Sequence, residues 1–172
     1  EYGNSPYQSP STFAGNFLYL DLEDLVDNEY LTQEDIDVLK SGISSVDYEH
    51  IKSQKESLLK KASQAFFYKN TEESEFKKFQ SENQFWLEDY ALFLSLNKKF
   101  KGKMWNTWEK GYKFREKKFI EEAKKEFEED YKYESFIQYY FYKQWKKLKD
   151  YANTKGIKII GDLPIYVASN SA

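Results

Sequence analysis

Lys155-Gly156-Ile157-Lys158-Ile159-Ile160-Gly161-Asp162-Leu163-Pro164 is the stretch on which the fold assignment turns. It reads as the end of a helix, a glycine stop, a short all-apolar strand and a loop closed by proline. A helix followed within a residue or two by such a strand is half of a βαβ unit, so the expected class is α/β with a parallel architecture. A buried parallel strand needs neighbours on both sides. Phe17-Leu18-Tyr19-Leu20-Asp21-Leu22 is the one other strand-like run. Two strands cannot complete a parallel sheet, and the sole methionine is Met104 rather than a start residue, so the expectation is a piece of a larger protein.

Between these two runs the pattern is helical. Thr32 with Asp35 three residues on suggests a capping box, opening a short helix that Ser41-Gly42 closes after Lys40. A longer helix is expected from about Asp47, with Ile51, Leu58, Leu59, Ala62, Ala65 and Phe66 at helical spacing. Thr71 is read as the cap of the next, which carries Phe76, Phe79, Trp86, Leu87, Tyr90, Phe93 and Leu94. Residues 121–134 are strongly acidic and read as a solvated helix with i,i+4 pairs. Ile137, Phe141, Trp145, Leu148 and Ala152 then mark an amphipathic helix ended by Gly156. Trp86, Phe93, Phe141 and Trp145 lie on apolar stripes and are assigned to the core.

Composition narrows the chemistry. The 172 residues carry 26 Lys+Arg against 29 Asp+Glu, 19% aromatic residues, one histidine and no cysteine. Zinc sites, disulfides, thiol nucleophiles and two-histidine mechanisms are therefore excluded within this chain. A mean hydropathy of −0.85 with no long apolar run excludes a membrane span. With no signal-peptide core in view, the cytoplasm is the default compartment. Residues 98–119 interleave nine cations with Phe100, Trp105, Trp108, Tyr112 and Phe114, as a single-strand nucleic-acid groove would. The net charge of −3 and a single arginine argue against that partner. His50 reads as a solvated surface residue. No Asp or Glu pair stands apart as a two-carboxylate catalytic site.

Two places invite a ligand. Asp162 follows directly on the expected strand, where parallel α/β folds place their sites, or else it caps the turn ahead of Pro164. Ser5-Pro6-Tyr7-Gln8 offers hydroxyls, an amide and an aromatic face suited to a polyhydroxylated ligand, or else it is an ordinary turn with a packed tyrosine.

Four segments carry a family resemblance. The opening Tyr2-Gly3-Asn4-Ser5-Pro6-Tyr7-Gln8-Ser9-Pro10-Ser11-Thr12-Phe13-Ala14-Gly15-Asn16 and the closing Ile159-Ile160-Gly161-Asp162-Leu163-Pro164-Ile165-Tyr166-Val167-Ala168 resemble signature segments of the 4-alpha-glucanotransferases, also called amylomaltases or disproportionating enzymes. Asn83-Gln84-Phe85-Trp86-Leu87-Glu88-Asp89-Tyr90-Ala91-Leu92-Phe93 and Gln144-Trp145-Lys146-Lys147-Leu148-Lys149-Asp150-Tyr151-Ala152-Asn153 resemble family segments in the same order.

The resemblance implies a fragment of a (β/α)8 TIM barrel with a large, mostly helical insertion between consecutive strands. Residues 1–23 would be a barrel loop and short strand, 24–134 the insertion, and 135–172 a barrel helix, strand and loop. It implies transfer of α-1,4-glucan segments to the 4-hydroxyl of glucose or another glucan with retention, without metal or organic cofactor. The partners implied are α-1,4-glucans and maltooligosaccharides, with no nucleic acid and no membrane. The family's catalytic carboxylates lie in Arg-x-Asp-His, Ala-Glu-Asp and His-Asp-Asn segments, none of which occurs here. What carries over is substrate binding: Asp162, Ser5 and Tyr7, the last two in the Ser-Pro-Tyr loop. Asn4 and Asn170 each stand where the family commonly has Asp. The competing expectation is a non-catalytic glucan-binding or helical interaction module.

Overall fold

The computed structural model describes residues 9–40, 48–161 and 168–171. Its helices are α1 (Leu22–Asp27), α2 (Gln33–Asp37), α3 (Tyr48–Lys69), α4 (Glu73–Lys99), α5 (Lys110–Lys113), α6 (Lys117–Glu126) and α7 (Glu128–Thr154), with short 3₁₀ turns at Phe17–Tyr19, Val38–Lys40 and Trp105–Thr107.

The expected α/β class is not what forms. No strand or sheet occurs among the described residues. Asn16 and Asp21 explain the first departure. The Asn16 side chain accepts from the Leu18 N–H and the Asp21 side chain from the Glu23 N–H, so 17–22 coils into a 3₁₀ turn and the start of α1. The buried Lys55 then donates to the Leu18 and Leu20 carbonyls at 2.8 and 2.6 Å, using acceptors a ladder would need. At the other end, the segment 157–161 has no strand alongside it among the described residues, and Ile160 is 93% exposed. An extended segment without a partner for its N–H and C=O groups does not become a sheet.

Signals that close within one turn of chain survive. Thr32 and Asp35 form the expected capping box. Gly156 (φ 73°) ends α7 in a Schellman motif, the Ile157 N–H reaching the Ala152 carbonyl at 2.9 Å and the Gly156 N–H reaching Asn153 at 3.0 Å. Thr71, by contrast, does not cap α4. Glu72 occupies that position, and the Thr71 hydroxyl meets the Tyr30 hydroxyl at 3.1 Å.

Two cores hold the helices. In the larger, Phe66 of α3 packs on Phe76 of α4 and on Phe136, Tyr139 and Tyr140 of α7, with ring centroids 5.3 to 6.0 Å apart. The start of α4 meets α7 at Tyr139 and Lys143 and its end meets Asp130 and Glu134, so the two long helices run in opposite directions. The smaller core collects Leu92, Leu96, Trp108, Tyr112 and Ala123, with Trp108 stacked on Phe100 at 5.2 Å. Most of the aromatic residues of the basic stretch are thereby absorbed as packing. Several of its cations face acids: Lys99 pairs with Glu126 at 2.6 Å, Arg115 with Asp89 and Lys98 with Glu134.

The acidic stretch is not one solvated helix. It breaks at Phe127 between α6 and α7, and Ala123, Tyr133 and Glu134 are buried. Trp145 leaves the core too. It lies on α7 beyond the turn that meets the start of α4 and is exposed. No described helix is long and apolar enough to cross a membrane.

Candidate functional site

The opening segment is laid along α7 by two side-chain amides. Gln138, almost fully buried, accepts from the Gly15 N–H at 2.8 Å and donates to its carbonyl at 3.1 Å. Gln144 treats Asp21 in the same way, at 2.8 and 3.0 Å. Each amide thus offers the backbone the donor and acceptor pair that a neighbouring strand would have offered. Gly15 is needed here for room: a Cβ at this position would sit 2.1 Å from the Phe141 ring.

Phe13 projects from this segment onto the second family-like segment. Its ring lies 5.2 Å from Phe85, edge to face, and 6.0 Å from Trp86, stacked, while its carbonyl accepts from the Tyr142 hydroxyl at 2.8 Å. Phe13 is 50% and Phe85 70% exposed, so the cluster has a solvent-facing aromatic side. Trp86 is held beneath by its indole N–H on Asn83 Oδ1 at 3.0 Å.

The closing segment comes to the same neighbourhood. The Ala168 N–H donates to the Ser9 carbonyl at 3.4 Å. Asn170 Oδ1 accepts from the Trp105 backbone N–H at 3.0 Å, and the Ser169 carbonyl from the Trp105 indole at 3.2 Å. Segments far apart in sequence therefore meet at one edge: the residues after Ser-Pro-Tyr-Gln, those after Ile165-Tyr166-Val167, and the turn beyond α4.

The three residues expected to bind substrate, Ser5, Tyr7 and Asp162, lie outside the described residues, as does Asn4. His50 lies exposed in the first turn of α3. Among the described residues, no group of three or more His, Asp or Glu side chains could hold a metal ion. A groove of about 710 Å³ runs between Tyr19 and the second half of α7, past Phe141, Trp145 and Tyr151. Of its polar groups, Gln144 is engaged with Asp21 and Asp24, and Lys147 with Asp24 at 2.9 Å. Its walls are mainly apolar and aromatic.

The most perturbed acid is Glu134 of α7. Burial pushes its carboxyl up to about 7 against the pull of Lys98, 3.5 Å away. Glu72 is the opposite case. Burial opposes its charge, but Lys143 at 2.6 Å, Tyr139 at 2.6 Å and Tyr140 at 2.9 Å all donate to it and hold it below the usual carboxylate range. Both sit where α4 meets α7, tying the helices together rather than facing a ligand.

The family model described as 4-alpha-glucanotransferase matches residues 1–172. The chain belongs to the 4-alpha-glucanotransferase family. It is 44% identical to the 4-alpha-glucanotransferase of Clostridium butyricum over 173 residues, covering 99% of this chain and 35% of that protein. The Thermus thermophilus 4-alpha-glucanotransferase is 42% identical, with 99% and 34% covered. Among solved structures, amylomaltase from Streptococcus agalactiae in complex with acarbose superposes with a TM-score of 0.93 at 34% identity, over 99% of this chain and 35% of that one. The chain thus spans about a third of the length of the relatives it matches. The barrel is the fold of the parent family, whereas the described residues here are helical.

The sequence reading missed Trp105, which it placed in the basic, aromatic stretch, and it treated Gly15 as turn chemistry. Only the partners of these residues, 64 and 126 positions away, distinguish their roles.

Proposed function

We propose that this chain supplies glucan-binding loops of a cytoplasmic 4-alpha-glucanotransferase. The whole protein transfers α-1,4-glucan segments to the 4-hydroxyl of glucose or another glucan, with retention and without a cofactor. Family membership supports the reaction class, and acarbose, the ligand of the Streptococcus agalactiae amylomaltase, supports an oligosaccharide ligand. The observation that carries the local reading is the Ala168 to Ser9 hydrogen bond. It joins the described residues that follow the Ser-Pro-Tyr and Ile-Gly-Asp segments, which supports reading Ser5, Tyr7 and Asp162 as groups that bind one glucan. Their hydroxyl, ring and carboxylate are the groups that grip a sugar: hydrogen bonds to ring hydroxyls and stacking on the apolar sugar face.

Retention needs a carboxylate nucleophile and a second carboxyl that acts first as acid and then as base. None of the family's three catalytic segments falls within these 172 residues. This chain's part is to bind and orient, and to keep the reacting sugars within reach of groups elsewhere in the protein. The domain reading is proposed with it, residues 24–134 forming a helical insertion between flanking segments 1–23 and 135–172. The test is incubation of the full-length protein with maltotriose. Glucose together with maltopentaose and longer chains is the expected product pattern. Hydrolysis products alone would replace the transferase by a glucan hydrolase, and binding without turnover would favour a glucan-binding module.

A further inference from the structure

The turn after α4 has more donors aimed outward than its own closure requires. Thr107 closes it, the backbone N–H and the hydroxyl both reaching the Met104 carbonyl at 2.9 and 2.7 Å, and Trp108 N–H returns to the Trp105 carbonyl at 3.1 Å. Trp108 is buried in the smaller core and spends its indole N–H locally, on the Lys103 carbonyl at 2.8 Å. Trp105 behaves differently. It belongs to neither core, remains 39% exposed, and directs both its backbone and its indole N–H to Asn170 and Ser169, 65 and 64 residues away.

Residues 168–170 are consequently strapped from two sides, by Ser9 and by Trp105. In sequence, Asp162 lies seven residues before Ser169, and Tyr7 two before Ser9. We propose that Trp105 is a positioning residue for glucan transfer: through Ser169 and Asn170 it fixes the loop that follows Asp162 against the segment that follows Tyr7. The proposal rests on the glucan-binding reading of those loops. The acceptor used on Asn170 is Oδ1, which aspartate and asparagine share, so the side chain can lose its charge without losing the strap. A loop released by even an ångström presents its binding groups out of register with the reacting sugars, which lowers turnover without unfolding the protein.

The experiment uses the full-length protein and its variants Asn170→Ala, Asn170→Asp and Trp105→Phe, the last keeping an aromatic ring while removing the indole donor. Two readouts are taken: kcat/KM for maltotriose disproportionation, and hydrogen–deuterium exchange of residues 168–171 without ligand. Asn170→Ala and Trp105→Phe should each lower kcat/KM about 10-fold and speed exchange in this loop about 5-fold. Their melting temperatures should stay within about 2 °C of the parent. Asn170→Asp should restore both readouts to within about 2-fold, because Oδ1 is retained. Unchanged exchange in the two disrupting variants overturns the strap. Faster exchange with unchanged kcat/KM, or an Asp variant as impaired as the Ala one, overturns the positioning role. A wild-type protein that does not disproportionate maltotriose overturns the glucanotransferase reading and the role in turnover with it, while exchange still decides the strap.

Discussion

Replacing Glu134 by glutamine should stabilise the protein above neutral pH and do little below pH 5. The residue is 8% exposed in the middle of the α3, α4 and α7 contact. Facing it are Lys98 and Tyr90 from α4, Glu56 from α3, and Asp130 and Tyr133 on its own helix. Burial is the dominant influence and raises the carboxyl from 4.5 to about 7, with Lys98 pulling the other way and the Glu56 and Asp130 charges adding to the rise. A group whose native value is raised holds a proton in the folded state that the unfolded chain has already released. Between pH 4.5 and 7 stability therefore falls as pH rises, and it levels off above 7. The gap corresponds to roughly 3 kcal/mol at most, and about 2 kcal/mol once relaxation and water penetration around the buried carboxyl are allowed for. Glutamine keeps the shape and has no charge to bury, and Lys98 retains Asp130 at 3.6 Å, so no buried cation is stranded. The assay is urea unfolding of both proteins from about pH 4.5 to 8, read as the difference between them so that other titrating groups cancel. The difference should grow from near zero to about 2 kcal/mol in favour of the glutamine variant. A difference that stays flat, or that favours the glutamate at the alkaline end, would refute the claim that desolvation outweighs Lys98.

Glu72→Gln should cost about 2 kcal/mol at neutral pH, since Tyr139, Tyr140 and Lys143 lose an ionised acceptor. Because the Glu72 carboxyl is held low, its contribution is present above the ordinary carboxylate range and lost as pH falls through its native value, so the variant should flatten the acid limb of a stability profile. Gly15→Ala should destabilise by about 2 kcal/mol or more, measured by thermal melting, because its Cβ would overlap the Phe141 ring; an unchanged melting temperature would mean the two segments separate freely. In the full-length protein, Asp162→Ala should lower disproportionation of maltotriose at least about 10-fold with the fold intact by circular dichroism, and unchanged kinetics would remove Asp162 from the site.

What could be read from the sequence divides by how far a residue's deciding partner lies. The Thr32–Asp35 box and the Gly156 stop each close within a single turn, and both form as expected. The run 17–22 offered the aliphatic pattern of a strand; the Asn16 and Asp21 caps that coil it are local, but the bonds from Lys55 and Gln144 that hold the coiled run cross more than thirty and more than a hundred residues. The run 157–160 shows the same dependence from the other side: an apolar run becomes a strand only when another backbone lies beside it, a condition no local pattern encodes. The site follows the same logic. The four family-like segments could be found as words, and the geometry links three of them: the first to the second through Phe13 and Trp86, and the first to the last through Ser9 and Ala168. Trp105 belongs to none of those segments, so no word could have flagged it. A binding edge made from loops this distant in sequence needs a residue between them whose donors reach outward, and Trp105 is placed to be that residue.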